Sequence, residues 1–214
     1  MKAVDLIVYD LDGTLVNTLS DITNAVNFAL HNLHLPLRSE SEVKGFIGEG
    51  VRQLVERSLG REYQNHFDQA FGMVKKHYAE HLFDHSVLYP GVLENLEYFK
   101  NKKQAVLTNK PERFSIQILE HLGIRKYFSY VIGGDSLPEK KPSPVGLRKI
   151  MNELSVDSEK TVLIGDSAID IATARNTGVS ICAFLIGFTG ERELKSANPD
   201  FAISHFSELK NLFS

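Results

Sequence analysis

Asp10 and Asp12 stand two residues apart, directly after the apolar run Leu6-Ile7-Val8-Tyr9 and before Gly13-Thr14. In an extended chain, residues i and i+2 point the same way, so both carboxylates leave a strand end into one small volume. Two carboxylates that close do not both stay ionised cheaply without a cation or a proton between them. The pair therefore reads as chemistry: one group to attack or to hold a metal, the other to move a proton. Gly13 lets the backbone turn sharply and approach a ligand closely. A calcium loop would need more oxygen ligands at alternate positions and a Glu near the twelfth. Leu15, Val16 and Leu19 occupy that stretch instead.

Three further polar clusters follow. Thr108 and Asn109 come after Leu107, where a hydroxyl and an amide could donate to phosphate oxygens. Lys140-Lys141-Pro142-Ser143-Pro144 places cations beside two prolines. Gly165-Asp166-Ser167-Ala168-Ile169-Asp170 ends the run Val162-Leu163-Ile164, and Asp170 lies one helical turn beyond Asp166. Singly, these are a helix cap, a surface loop and another cap. Capping does not account for four such clusters, in this order, each after its own apolar run.

The elements that must carry them alternate. Short apolar runs at Val4–Tyr9, Ala105–Leu107, Tyr130–Ile132, Thr161–Ile164 and Ile181–Leu185 predict central parallel strands. Helical patterns lie at Val92–Lys102, Arg113–His121, Pro144–Glu153 and Ile169–Asn176, two of them stopped by Gly123 and Gly178. This order predicts an α/β fold with a doubly wound, mainly parallel, Rossmann-like sheet, which binds ligands beyond the carboxyl ends of its strands. Asp10, Thr108 and Asp166 would all emerge there. From Val16 to Ser86 no central strand is evident, only helical stripes, with a last one over Tyr63–Phe83. An all-helical cap over residues 16–87 is expected, inserted into a core of residues 1–15 and 88–214. Phe201, Phe206, Leu209 and Phe213 suggest a C-terminal strand and helix on that core.

With 214 residues, 43% apolar and 24% charged, the chain can bury a large core. A net charge of -3 argues against a general affinity for nucleic acid or anionic membranes. A lone Cys182 excludes an intrachain disulfide, and no apolar run approaches membrane-spanning length. A cytoplasmic protein, monomer or homodimer, is the expectation. His77, His81 and His85 recur every four residues, but no acidic or Cys partner at ligand spacing supports a zinc stripe.

Asp-Leu-Asp-Gly-Thr-Leu, Lys-Pro-x-Pro and Gly-Asp-Ser-x-x-Asp together resemble the haloacid dehalogenase superfamily, and most closely its phosphoglycolate phosphatase-like branch. The likeness extends over the helical insertion, Tyr89-Pro90-Gly91 and Gly133-Gly134-Asp135. It implies an Mg²⁺-dependent phosphomonoesterase acting on a small phosphorylated metabolite, with 2-phosphoglycolate the first candidate. It further implies that Asp10 attacks phosphorus and Asp12 is the acid and then the base. Thr108 and the Asn109 backbone would hold phosphoryl oxygens, and Lys141 would neutralise charge, being preferred to Lys140 because it precedes the first proline. Asp10, the Asp12 carbonyl and Asp166 would hold Mg²⁺, with Asp170 orienting that shell or the lysine. Asn17, where relatives often carry Asp, and Asn176-Thr177 before Gly178 depart from the family pattern without touching the four clusters.

Alternatives within the fold are a sugar-phosphate mutase or phosphatase and a pyrophosphatase, which differ mainly in the cap. A phospho-accepting signalling domain also combines Asp, Mg²⁺, Thr and Lys, but it lacks a second Asp two residues on. Asp12 thus argues for turnover rather than a stored phosphate. Within the cap, Gly45-Phe46-Ile47-Gly48-Glu49-Gly50 precedes Arg52, which is either a guanidinium that reads a substrate carboxylate or, as the neighbouring Glu49 argues, a solvated surface charge after a glycine turn.

Overall fold

A computed structural model describes all 214 residues. The chain opens with β1 (Leu6–Tyr9), then β2 (Val16–Asn17) and four helices: α1 (Leu19–Asn32), α2 (Glu40–Lys44), α3 (Val51–Leu59) and α4 (Phe67–Glu80). There follow β3 (Val87–Leu88), α5 (Val92–Tyr98), β4 (Lys103–Leu107), α6 (Glu112–His121), β5 (Tyr130–Ile132), α7 (Val145–Leu154) and β6 (Thr161–Gly165). The chain closes with α8 (Ala168–Thr177), β7 (Ser180–Phe184), α9 (Glu191–Ser196), β8 (Phe201–Ile203) and α10 (Leu209–Leu212).

Six strands form one parallel sheet in the order β5-β4-β1-β6-β7-β8. From β1 the chain winds outward through β4 and β5, then returns to β1's other side and winds out through β6, β7 and β8. The strand order reverses at β1, so the crevice beyond its carboxyl end is the place where such a sheet binds ligands. Every residue of β1 is buried, as the unbroken apolar run requires. Leu6 and Val8 face a layer containing Leu147, Ile150 and Ile171 of α7 and α8, while Ile7 and Tyr9 face Val92, Leu96 and Ile118 of α5 and α6. Alternation along one strand thus separates two apolar layers, each roofed by helices.

The four helices between β2 and β3 share a continuous apolar cluster with the second of these layers. Helix α1 packs along α4, and α3 packs on α4 as well. Asp21, buried in α1, accepts from His85 N–H at 3.0 Å and from Ser86 Oγ at 2.7 Å, which ties α1 to the returning chain. β2 and β3 form a two-stranded antiparallel ribbon, Val16 opposite Leu88, where the chain enters and leaves the helices. The sequence does not announce this ribbon, because two residues per strand are too few to show a period. Two helices are shorter than their patterns: α4 starts after a 3-10 turn at Gln64–His66, and α5 ends at Tyr98. His85 lies beyond α4, and His77 and His81 stack ring on ring at 4.4 Å, so the three do not converge. No helix is long and apolar enough to cross a membrane.

Candidate active site

Asp10 and Asp12 follow β1 and line one cavity of about 80 Å³ between the sheet edge and the inserted helices. Thr108, Asn109 and Lys110, which follow β4, line it too. The far wall comes from the insertion and includes Ile22, Ile47, Leu54, Val74 and Tyr78. Strand register brings the clusters together: Tyr9 lies beside Val106 of β4 and Ile164 of β6, so all three strands end at one level.

Lys141 is the hub of the buried charge. Its ammonium lies 2.9 Å from Asp10 Oδ1 and 2.6 Å from Asp170 Oδ1, and its side chain is 2% exposed. The two carboxylates hold the ammonium's pKa above its ordinary value even though burial opposes the charge. Lys140, by contrast, is exposed and donates to the Glu49 carbonyl. Asp10 Oδ1 also accepts from Leu11 N–H at 2.7 Å, so both contacts fall on one oxygen and orient the carboxylate. Burial, offset by Lys141, pushes Asp10 up to about 6.

Asp166 sits at the end of β6, accepting from Thr14 Oγ1 at 2.6 Å and from Phe188 N–H at 2.7 Å. Gly13, at φ +82°, and Gly187 press so close that a Cβ on either would collide with its side chain. Burial and then the nearby Asp10 and Asp170 push Asp166 up to about 8. Oxygens of Asp10, Asp166 and Asp170 all lie within 4.8 Å of one another. Such an oxygen-only cluster, with three carboxylates against one ammonium, suits a hard divalent cation. Asp170 is committed elsewhere: besides Lys141, it accepts from Ser167 Oγ at 2.5 Å and from Ser167 N–H at 3.1 Å, forming the capping box of α8. The expected caps and the expected cluster are therefore the same residues.

One sequence expectation needs revision, and two readings left open by the sequence are decided. The side-chain amide of Asn109 is not free to meet phosphate oxygens, because its Nδ2 donates to Gly48 O at 2.8 Å and to Lys141 O at 3.0 Å. Its backbone N–H meets no backbone acceptor. The Gly45–Gly50 loop comes close to the core, as its glycines allow, with Gly48 at φ +122° and Gly50 at φ +90°. What it approaches is Asn109 and Lys140. Arg52 does not line the cavity: it is 64% exposed, pairs with Glu56 at 3.1 Å and lies over the Phe67 ring. One helical position rotates it away.

Lys110 was missed altogether. Its Nζ lies 2.9 Å and 3.2 Å from the two Asp12 oxygens and 2.6 Å from Tyr78 Oη. The only local signal is its place after Thr108-Asn109. Thr18, the N-cap residue of α1, makes no cap and instead donates to Asp12 Oδ1 at 2.7 Å. Asp12 is thus gripped from the core by Lys110 and from the insertion by Thr18.

A parallel sheet with two carboxylates at its switch point, a buried lysine and an acidic cluster is an arrangement of the kind that phosphoryl transfer calls for. The chain belongs to the haloacid dehalogenase-like hydrolase family, whose profile matches residues 7–184. It is 35% identical to a phosphoglycolate phosphatase of Nitrosococcus oceani over 100% of this chain and 98% of that protein. It is 36% identical to one of Vibrio parahaemolyticus over 96% and 94%. The crystal structure of a predicted phosphoglycolate phosphatase from Haemophilus somnus superposes with a TM-score of 0.90 at 31% identity, covering 98% of this chain and 97% of that one. The protein is a phosphatase.

Proposed function

We propose that the protein is an Mg²⁺-dependent phosphomonoester hydrolase that works through an aspartyl-phosphate, with 2-phosphoglycolate as its substrate. The observation that carries this reading is the unequal setting of two carboxylates in one cavity. Asp10 has one oxygen occupied by Leu11 N–H and Lys141, leaving the other without a protein donor, and Asp12 stands on the leaving-group side. Asp10 attacks phosphorus through its free oxygen while the ester P–O bond breaks, and Asp12 gives its proton to the departing alkoxide oxygen. A water then attacks the phosphorus of the aspartyl-phosphate, Asp12 takes that water's proton, and Asp10 is released with inorganic phosphate.

Lys141 balances the nucleophile and the transferring group, Thr108 and the Asn109 N–H face the phosphoryl oxygens, and Asp170 orients Lys141. Asp10, Asp166 and the Asp12 carbonyl, which accepts no backbone hydrogen bond, would hold the cation. Bound there, Mg²⁺ supplies positive charge against the phosphoryl oxygens and lets Asp10 remain ionised beside an incoming anion.

In this reading residues 16–87 are a cap over a catalytic core of residues 1–15 and 88–214. Four side-chain hydrogen bonds join the two: Thr18 to Asp12, Asn109 to Gly48, Lys140 to Glu49 and Lys110 to Tyr78. Such a cap keeps bulk water from the first step. Relatives named phosphoglycolate phosphatase support 2-phosphoglycolate as the substrate.

The test is to quench turnover of 2-phosphoglycolate in acid, reduce with borohydride and map the modified residue by mass spectrometry. Homoserine at position 10, and no hydrolysis by Asp10→Asn with the fold intact, are expected. Turnover by Asp10→Asn would remove the covalent mechanism.

A further inference from the structure

The cavity holds a buried cation on the leaving-group side, where phosphoryl transfer itself does not call for one. Lys141 is committed to Asp10 and Asp170 on the nucleophile side. Lys110 lines the cavity next to Asp12 with its side chain 4% exposed. Deep burial of an ammonium is costly, and the position keeps its charge only because Asp12 and Tyr78 compensate. Lysine has three N–H donors. The acceptors of Lys110 in the protein are Tyr78 Oη and the two oxygens of one carboxylate, Asp12, which lie close enough together to share a single N–H and so allow another to meet a ligand.

We propose that Lys110 is the specificity-determining residue that reads a carboxylate on the leaving group, held in place by Tyr78. The proposal deepens the phosphatase reading and rests on it. Asp12 must reach the ester oxygen to protonate it. In an ester of a 2-hydroxy acid, the carboxylate is attached to the carbon that carries that oxygen, so its own oxygens lie roughly 3 Å away by covalent geometry. A substrate hydrogen-bonded to Asp12 therefore brings its carboxylate into reach of Lys110, whose Nζ is 2.9 Å from Asp12.

No other cation competes for this role. Arg52 is turned outward, and Lys75 lies on the rim, exposed and over the Phe71 ring, where solvent screens its charge. The remaining side chains of the wall, with Ile47, Leu54, Val74 and Phe114, carry no charge, and Gly48, Gly50 and Val51 at the start of α3 add backbone N–H groups only. Tyr78 is buried in α4, and its hydroxyl accepts from Lys110 while its ring lies 4.6 Å from the ammonium. Through this contact the insertion helps set where the cation points.

The experiment compares 2-phosphoglycolate with isobutyl phosphate, in which an isopropyl group of the same shape replaces the carboxylate. Lys110→Met should slow both esters, because Asp12 loses a partner. The decisive readout is the ratio of kcat/KM between them, which should fall by about tenfold or more, the scale of one lost charged hydrogen bond. Tyr78→Phe should lower the same ratio by less. If Lys110→Met does not fold, Lys110→Gln replaces it.

Calorimetric binding of 3-phosphonopropionate, which cannot be hydrolysed, should weaken in parallel. Equal losses on the two esters, or a wild type that does not prefer phosphoglycolate, would overturn the assignment and leave the phosphatase reading standing. If the wild type hydrolyses neither ester but phosphonopropionate binding still depends on Lys110, the phosphatase reading fails instead.

Discussion

Removing Lys141 isolates what the buried charges contribute to folding from what they contribute to catalysis. The Lys141→Met side chain keeps the volume and deletes the ammonium between Asp10 and Asp170. At 2.9 Å and 2.6 Å, each contact is worth about 6 kcal/mol of gross attraction at an effective dielectric constant near 20. The desolvation already spent offsets much of this, and breaking a buried pair costs about 3–5 kcal/mol net. Lys141→Met should therefore lower unfolding stability by about that amount in urea titrations, done in chelator so that no cation substitutes for the ammonium.

Adding Asp170→Asn removes one of the two stranded carboxylates and keeps a residue that still serves the capping box with Ser167. The double variant should recover about half of the lost stability. Its hydrolysis should stay at least about 10²-fold down, because the nucleophile and the transferring group still lack their cation. A single variant within about 1 kcal/mol of wild type, or a double variant that regains activity, would refute the reasoning.

Two other outcomes follow from the same geometry. Asp12→Asn keeps the backbone carbonyl but cannot shuttle a proton, so kcat at saturating Mg²⁺ should fall by about 10²–10⁴-fold with little change in the Mg²⁺ requirement; a normal kcat with collapsed metal affinity would contradict the role. In metal-free protein, Asp166 is raised to about 8 from an ordinary value of 3.8, and Asp10 to about 6. A raised carboxyl pKa means that the fold favours the protonated form, so this contribution is present below the unfolded pKa and is lost as pH rises toward 8. The melting temperature in EDTA should fall between pH 5 and pH 8, and Mg²⁺ should raise it more at pH 8 than at pH 5. A flat profile would show that Asp10 and Asp166 are not short of a cation.

The legible part of this protein is whatever depends on near neighbours in the chain. Asp10 and Asp12 share a direction because two residues apart on an extended strand must. The parallel core shows in the sequence because strands buried on both faces read as unbroken apolar runs, and the insertion shows because helical stripes replace them. Asp166 and Asp170 come together because Asp166 follows β6 directly and Asp170 lies in the first turn of α8, which begins two residues later. The family motif identified Lys141 over Lys140, and the structure puts Lys141 between Asp10 and Asp170 while Lys140 faces the Glu49 carbonyl.

Packing alone decided the rest. Lys110 meets Asp12 across 98 residues and Tyr78 across 32, and no local pattern encodes either distance. Asn109 spends its amide on Gly48, which is 61 residues away, and Thr18 forgoes its cap for Asp12 once β2 has turned the chain back. The glycines of the Gly45–Gly50 loop signal a close approach but not its partner, and a helix rotation of one position separates Arg52 from the cavity that Val51 lines. Periodicity and motif fix which residues leave each strand end. Which side chains then pair depends on how the inserted helices seat on the sheet, and that is a property of the whole packed molecule.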